Sequence, residues 1–214
     1  VGSGFIFFGN KSEKRINFIE QLLLIILVYL VIAFFIALPF YFSNYQVTFL
    51  NSLFEAISGI TGTGFSIFKN IKYLDPTLIL WRSSSQWIGG LYFLFFLILI
   101  FSNKQFSYKM NELTYSIDGN ISSKSNIKDF LFKIFIIYSL LSFIIFLLLN
   151  ISEVRMFNSL NLSMGLISTG GFMPTDSLNK IIRSNPQKLI FILSLLISML
   201  NFFLILNIFQ KKVI

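Results

Sequence analysis

Apolar residues dominate four long runs of the chain, and polar residues collect in the segments between them. Each run is close to the ~20 residues that a helix needs to cross a ~30 Å hydrocarbon core. Because lipid offers the backbone no hydrogen-bond partners, such runs are expected to be helical. The predicted membrane-spanning helices are Leu22–Phe42, Leu78–Phe101, Phe130–Leu149 and Leu189–Phe209.

A shorter apolar stretch lies inside each pair of predicted spans, at Phe49–Ile60 and at Phe157–Ile167. Both stretches are too short to cross the membrane, and glycine with threonine or serine follows each of them, which indicates a re-entrant half-helix and loop. The predicted fold is an all-α polytopic membrane protein with two helix–pore loop–helix repeats. It has four transmembrane helices and two re-entrant half-helices.

The two halves of the chain also repeat in sequence. Ile60–Ser66 matches Ile167–Met173 without a gap, and both segments carry a Gly-Phe pair in the same register. Further on, Asp75–Pro76 matches Asn185–Pro186, at a slightly larger separation along the chain. The change of separation predicts a three-residue insertion in the outer loop of the second repeat, and the repeat itself indicates duplicated structural units.

Composition narrows the function classes. The chain is 55% hydrophobic and 12% charged, with no His and no Cys. These absences remove His- or Cys-ligated zinc, haem held by His, cysteine nucleophiles and Ser-His-Asp triads, so we expect no enzyme and no cofactor. The net charge of +8 lies mainly between apolar runs, a pattern of topology-setting loops and not of nucleic-acid binding. Membrane lipid is the expected partner of the apolar faces.

The Lys and Arg distribution predicts the orientation and the organisation of the chain. The excess lies before the first span, in the central polar segment and after the last span, which places these segments in the cytoplasm and both pore loops outside. The predicted parts are a cytoplasmic lead-in or tail of an upstream helix (1–15), a first unit (16–102), a linker (103–128) and a second unit (129–214). The linker is interpreted as a plain connector or as a contact for a cytoplasmic subunit.

The candidate ion-binding residues follow the two half-helices. Glycine permits dihedral angles that align successive backbone carbonyls, and such carbonyls can replace the hydration water of a cation. The aromatic residues Phe65 and Phe172 follow the two segments and are expected to pack behind them. A single segment of this kind would favour a simple turn between buried helices, but two in register favour a selectivity filter. The predicted potassium ligands are Thr61, Gly62, Thr63, Gly64, Ser168, Thr169, Gly170 and Gly171.

Two charged residues near these segments are candidate supporting residues. Glu55 lies in the first half-helix among apolar residues, where a carboxylate is costly unless it is paired. It is interpreted either as a structural partner for a base or backbone donors, or as a source of negative potential near a cation path. Arg82 lies one turn inside the following span and is expected to extend outward toward water in a structural role.

Several segments carry a family resemblance. Phe54–Gly64 looks like the first pore helix and filter of the Trk/Ktr/HKT potassium transporter family, and Trp81–Gly90 resembles the start of that family's next helix. Ala37–Phe40 resembles the end of the preceding helix, and Ile167–Phe172 looks like the second filter segment. The resemblance covers nearly the whole chain. It is to the bacterial Trk-type membrane subunit, and it implies potassium uptake across the inner (plasma) membrane.

The resemblance also implies an assembly. The family places four such units around one pore, whereas two are visible here, so the chain is expected to be a fragment that starts without Met. Gly64 and Gly171 would be the filter glycines by resemblance. The implied partners are a second copy of the full-length membrane subunit and a cytoplasmic nucleotide-binding regulatory subunit. The competing hypothesis is a non-transporting membrane scaffold or assembly subunit, in which the Gly/Thr loops are only turns.

Overall fold

The computed structural model describes residues 17–101 and 124–199, and every regular element within these two ranges is helical. Short 3-10 turns occur at Ile71–Tyr73 and Leu178–Lys180. The helices are α1 (Phe18–Tyr41), α2 (Phe49–Ile60), α3 (Pro76–Phe101), α4 (Lys124–Ile151), α5 (Met156–Ile167) and α6 (Asn185–Ser198). Helices α1–α3 form the first unit and α4–α6 the second, as the apolar pattern predicted.

Three of the helices, α1, α3 and α4, are long and apolar enough to cross a membrane. They confirm the first three predicted spans, although α4 begins at Lys124, inside the predicted linker and before Phe130. Helix α6 begins at Asn185, before the predicted start of the fourth span at Leu189, and that predicted span passes out of the described residues after 199. The predicted segment 1–15 and positions 103–123 of the predicted linker also lie outside the described residues.

The repeat seen in the sequence is present in the backbone. The two half-helices begin and end at matching positions of the repeat, and so do the two 3-10 turns. The residues before the half-helices match as well, since Gln46 and Glu153 both have left-handed backbone, with φ of 51° and 65°. Helices α3 and α6 begin at Pro76 and Asn185, so the predicted insertion lies between the 3-10 turn and the helix that follows it.

Helix α3 is the central element of the described structure. It packs against α1 and α2 of its own unit and against α4 and α5 of the second unit. Two indole groups of α3 bind the first helix of each unit. Trp81 Nε1 donates to the Ile36 carbonyl of α1 at 3.0 Å, and Trp87 Nε1 donates to Ser142 Oγ of α4 at 2.9 Å. Helix α3 therefore forms the joint between the two units.

Two adjacent glycines on α3 let it approach the ends of both half-helices. A side chain at Gly89 would collide with the backbone of Ile60, the last residue of α2. A Cβ at Gly90 would lie 3.0 Å from Cβ of Ser168, which directly follows α5. Because α3 contacts both helix ends so closely, the loops that leave those ends are held side by side.

Candidate ion-binding site

The first candidate segment, Thr61–Gly64, has right-handed backbone at Thr61 and left-handed backbone at Gly62 and Gly64. Thr61 has φ of −82° and ψ of −7°, whereas Gly62 and Gly64 have φ of +68° and +78°. Glycine adopts these positive values without the steric cost that a Cβ brings. Alternation of this kind turns successive N–H groups to one side of the chain and leaves the carbonyls on the other.

The N–H groups of the first segment all face the half-helix that precedes it. Thr61 donates to Ile57 at 2.9 Å, Gly62 donates to Gly59 at 3.1 Å, and Thr63 donates to Ser58 at 3.0 Å. Within the ranges that the structure describes, no residue donates a hydrogen bond to the carbonyls of Thr61–Gly64. The segment thus presents carbonyl oxygens that are free to act as ligands.

The second candidate segment, Ser168–Gly171, has the same backbone. Ser168 has φ of −83°, and Thr169 and Gly171 have φ of +54° and +77°, at the positions that match Gly62 and Gly64. Three of its N–H groups also return to the preceding half-helix. Ser168 donates to Met164 at 3.4 Å, Thr169 to Leu166 at 2.9 Å, and Gly170 to Gly165 at 2.9 Å.

The structure brings the two segments together. A Cβ built on Gly64 would collide with the carbonyl oxygen of Gly170, and a Cβ on Gly62 would lie 3.6 Å from the carbonyl oxygen of Ser168. All eight predicted ligand residues therefore belong to two adjacent loops of one shape. The sequence could indicate the repeat, but not this contact between its copies.

The carboxylate of Glu55 is fully buried behind the first segment and is completely partnered. Arg82 Nε donates to its Oε1 at 2.7 Å, the Ile67 N–H donates to its Oε2 at 2.8 Å, and the Ser66 hydroxyl donates to Oε1 at 3.0 Å. The paired charges cancel, so the geometry favours the structural interpretation of Glu55. The expectation that Arg82 extends outward to water is wrong, because its side chain is 1% exposed and bound to this carboxylate.

The two aromatic residues that follow the segments differ. Phe172 is buried, and the Arg82 guanidinium lies 4.2 Å from its ring centroid, an arrangement suited to a cation–π contact. Phe65 is 68% exposed, so the prediction that it packs behind its loop is wrong. The physical reason is that α3 of the first unit covers the aromatic residue of the second unit, and the described residues contain no helix in that position for Phe65.

Sequence reasoning missed a third supporting residue, Gln86. Its side chain is fully buried, its Nε2 donates to the Gly170 carbonyl, and its Oε1 accepts from the Phe172 N–H at 3.0 Å. The available signal was an amide one turn beyond Arg82, at the end of a polar stretch in a membrane-spanning helix. Its partners lie in the other half of the chain, and no local pattern indicates them.

The loops that follow the two segments are also joined. Asp176 Oδ1 accepts from the N–H groups of Ile71 at 2.7 Å and Lys72 at 3.3 Å, and Lys180 Nζ donates to Oδ2 at 2.9 Å. The hydrogen bond from Lys180, followed by those from the two backbone groups, holds the pKa of the Asp176 carboxyl below its ordinary value. This contact ties the loop after one segment to the loop after the other.

Membrane-spanning helices, two re-entrant half-helices and paired carbonyl-bearing loops define a pore-loop membrane protein. The sequence comparison agrees, since residues 4–214 match the model of the family TrkH, described as cation transport protein. The chain belongs to this family of Trk-type cation transporters.

Individual relatives support the assignment. The chain is 29% identical to a Methanocaldococcus jannaschii protein named as an uncharacterized cation transporter, over 78% of this chain and 35% of that protein. It is 31% identical to the potassium uptake protein TrkH of Escherichia coli K12, over 42% of this chain and 19% of that protein. The chain thus spans about a third of the length of the first of these relatives.

A solved structure shows the same fold. The crystal structure of the potassium transporter TrkH from Vibrio parahaemolyticus matches this chain with a TM-score of 0.73 and 23% sequence identity. The match covers 94% of this chain and 40% of that protein.

Proposed function

We propose that this chain supplies two of the filter segments of a potassium-uptake pore. The observation that carries the proposal is the pair of adjacent segments, Thr61–Gly64 and Ser168–Gly171, with matching alternation of backbone handedness. Rings of backbone carbonyls can replace the hydration shell of K⁺. Relatives named as Trk system potassium uptake proteins support potassium as the ion.

The half-helices contribute to cation binding. Helices α2 and α5 end at Ile60 and Ile167, immediately before the two segments. The C-terminal end of a helix carries a partial negative charge of about half an elementary charge, and here it adjoins the proposed ion site. A dehydrated cation would be stabilised by the carbonyls and by these two helix ends, without a formal negative charge in the filter.

The complete pore requires more than this chain. We propose that the two units, 16–102 and 129–214, join two further units around one axis, and that 103–128 is a cytoplasmic linker and 1–15 a cytoplasmic lead-in or part of an upstream helix. The outer loops would face the outside of the inner (plasma) membrane. Two copies of the complete subunit and a cytoplasmic nucleotide-binding regulatory subunit would form the assembly.

The first test places a carboxylate in the filter of the complete assembly. Gly64→Asp and Gly171→Asp should each abolish rubidium uptake and potassium-limited growth, because the new side chain enters backbone of positive φ and brings a charge among the carbonyls. Asn44→Asp is the control, since it adds the same charge at an exposed turn between α1 and α2. Uptake at the unsubstituted rate in both filter variants would instead favour a scaffold in which the loops are only turns.

A milder substitution tests the filter geometry itself. Gly64→Ser should preserve some uptake but lower the preference for potassium over sodium, because the added Cβ meets the Gly170 carbonyl and displaces the neighbouring segment. Competition between rubidium and sodium measures that preference. An unchanged ratio would contradict a filter whose shape depends on glycine at this position.

A further inference from the structure

The second filter segment lacks the side chains that hold the first. In the first unit, Ser58 Oγ donates to the Phe65 carbonyl at 2.6 Å, and Glu55 accepts from Ser66 and from the Ile67 N–H. At the matching positions of the second unit, these functional groups are all absent. The matching residues are Leu162 for Glu55, Gly165 for Ser58, Met173 for Ser66 and Pro174, which has no N–H, for Ile67.

Gln86 occupies the corresponding place behind the second segment, although it belongs to the first unit. Its amide bridges the segment at two points, accepting from the Phe172 N–H and donating to the Gly170 carbonyl. A primary amide is suited to this task because it carries both a donor and an acceptor in one rigid plane. At 0% exposure, neither bond competes with water, so each would be costly to lose.

Gly170 packs against this amide, and the contact bears on why position 170 is a glycine. Its φ is not in the left-handed region, unlike the φ of Gly62, Gly64 and Gly171, so its backbone conformation does not demand glycine. A Cβ at Gly170 would instead collide with the side-chain amide of Gln86. The matching residue of the first unit is Thr63, which has a side chain and no such amide behind it.

The arrangement is confined to the joint between the two units. When α3 and α6 are aligned at Pro76 and Pro186, the residue of α6 that matches Gln86 is Leu196, which is 57% exposed. Likewise, Ile192 matches Arg82 and is 56% exposed. Helix α3 therefore carries a polar face toward the next unit, whereas α6 carries an apolar one.

We propose that Gln86 is the positioning residue of the second filter segment, and that position 170 is glycine because the Gln86 amide occupies the space of its side chain. The inference rests on the proposed function, because it assigns to one filter segment the side chain that sets its shape. Gln86 is not itself an ion ligand. It acts on ion selection by holding the Gly170 carbonyl and the Phe172 N–H in place.

The selectivity test uses Gln86→Met in the complete assembly. Methionine keeps the length of the side chain and removes both hydrogen bonds, so the ratio of rubidium to sodium uptake should fall by about tenfold. Ser83→Ala is the matched control, since Ser83 is buried on the same helix and its hydroxyl donates to the Ile79 carbonyl of that helix. Gln86→Glu, which keeps the acceptor and loses the donor, should also lower the ratio. A ratio unchanged in both Gln86 variants would overturn the proposal.

A double-mutant cycle tests the fit between Gln86 and Gly170 without reference to transport. In purified protein, Gly170→Ala should lower the melting temperature markedly when Gln86 is present, and clearly less in the Gln86→Ala background, because the collision partner is gone. Additive effects would overturn the proposal. If the unsubstituted assembly takes up no potassium while the cycle is non-additive, the proposed function fails and the packing of Gln86 against Gly170 stands.

Discussion

The two units of this chain reach the same loop shape by different means. Both segments have left-handed backbone at their second and fourth positions, and both return N–H groups to the preceding half-helix. Behind the first segment lies a carboxylate of its own half-helix, Glu55, whereas behind the second lies an amide of the neighbouring unit, Gln86. The side chain that holds the first loop thus comes from the same unit, and the side chain that holds the second loop comes from the neighbouring unit.

This difference separates what the backbone determines from what side chains add. The N–H bonds to the half-helix and the glycines are common to both units, so they suffice for the general shape of the loop. The side-chain contacts are specific to each unit and concentrate on α3, where Arg82 contacts Glu55 of one unit and Phe172 of the other. Substitution of Arg82 is therefore expected to affect both loops.

The largest effect is expected from breaking the buried ion pair of the first unit. Arg82→Leu leaves the Glu55 carboxylate buried without its charge partner, and removing one member of such a pair costs about 3–5 kcal/mol. It also removes the guanidinium from the Phe172 ring. The melting temperature of the purified protein should fall steeply.

The double variant Glu55→Leu/Arg82→Leu replaces the ion pair with two apolar residues. The second unit already has apolar residues at the matching positions, Leu162 and Ile192. It should recover much of the lost stability, because no unpaired charge remains. A double variant less stable than Arg82→Leu alone would contradict the view that the cost arises from an uncompensated buried charge.

A smaller loss is expected from Ser58→Ala. The Ser58 hydroxyl holds the Phe65 carbonyl at 2.6 Å, and one hydrogen bond of this kind contributes about 1 kcal/mol. The matching position, Gly165, has no side chain, so this contact distinguishes the two loops. Thermal unfolding measures the loss, and a variant as stable as the parent would show that the first loop does not depend on the contact.

The N-terminal caps of the half-helices offer a still smaller contrast. Thr48 caps α2 by accepting from the Asn51 N–H, whereas Arg155 at the start of α5 makes no side-chain cap. Arg155→Thr should stabilise the second unit by about 0.5–1 kcal/mol, and Thr48→Ala should destabilise the first by a similar amount. Melting temperatures that move in the same direction for both variants would contradict this assignment.

The smallest effect is expected from the contact of Asp176 with the loop that follows the first segment. The pKa of Asp176 is lowered in the folded protein, so its contribution to stability is complete above its ordinary value of 3.8 and is lost as the pH falls through the lower folded value. The difference in melting temperature between the parent and Asp176→Asn should be small at neutral pH and vanish in stronger acid. A difference that grows with acidification would have the wrong sign.

The sequence predicts much of the backbone architecture. The apolar runs and the internal repeat indicated the spans, the half-helices and the paired loops, because period and length are local properties of the chain. Gly62, Gly64 and Gly171 were recognised for the same reason, since they have the positive φ that glycine favours.

The contacts between units could not be predicted in this way. An internal repeat gives the register within a unit, but not which helix passes behind which loop. For this reason Gln86 was missed, Arg82 was expected to reach water, and Phe65 was expected to pack like Phe172. Each of these outcomes depends on α3 lying at the joint, which is a property of the assembled units.

Anomalous diffraction from the complete assembly, crystallised with thallium or rubidium in place of potassium, would show directly whether the two segments bind the ion. Bound ions are expected in a row between the two segments, in inner-sphere contact with carbonyl oxygens of Thr61–Gly64 and Ser168–Gly171. Ions bound elsewhere along the pore, with these carbonyls turned away from every one of them, would contradict this expectation.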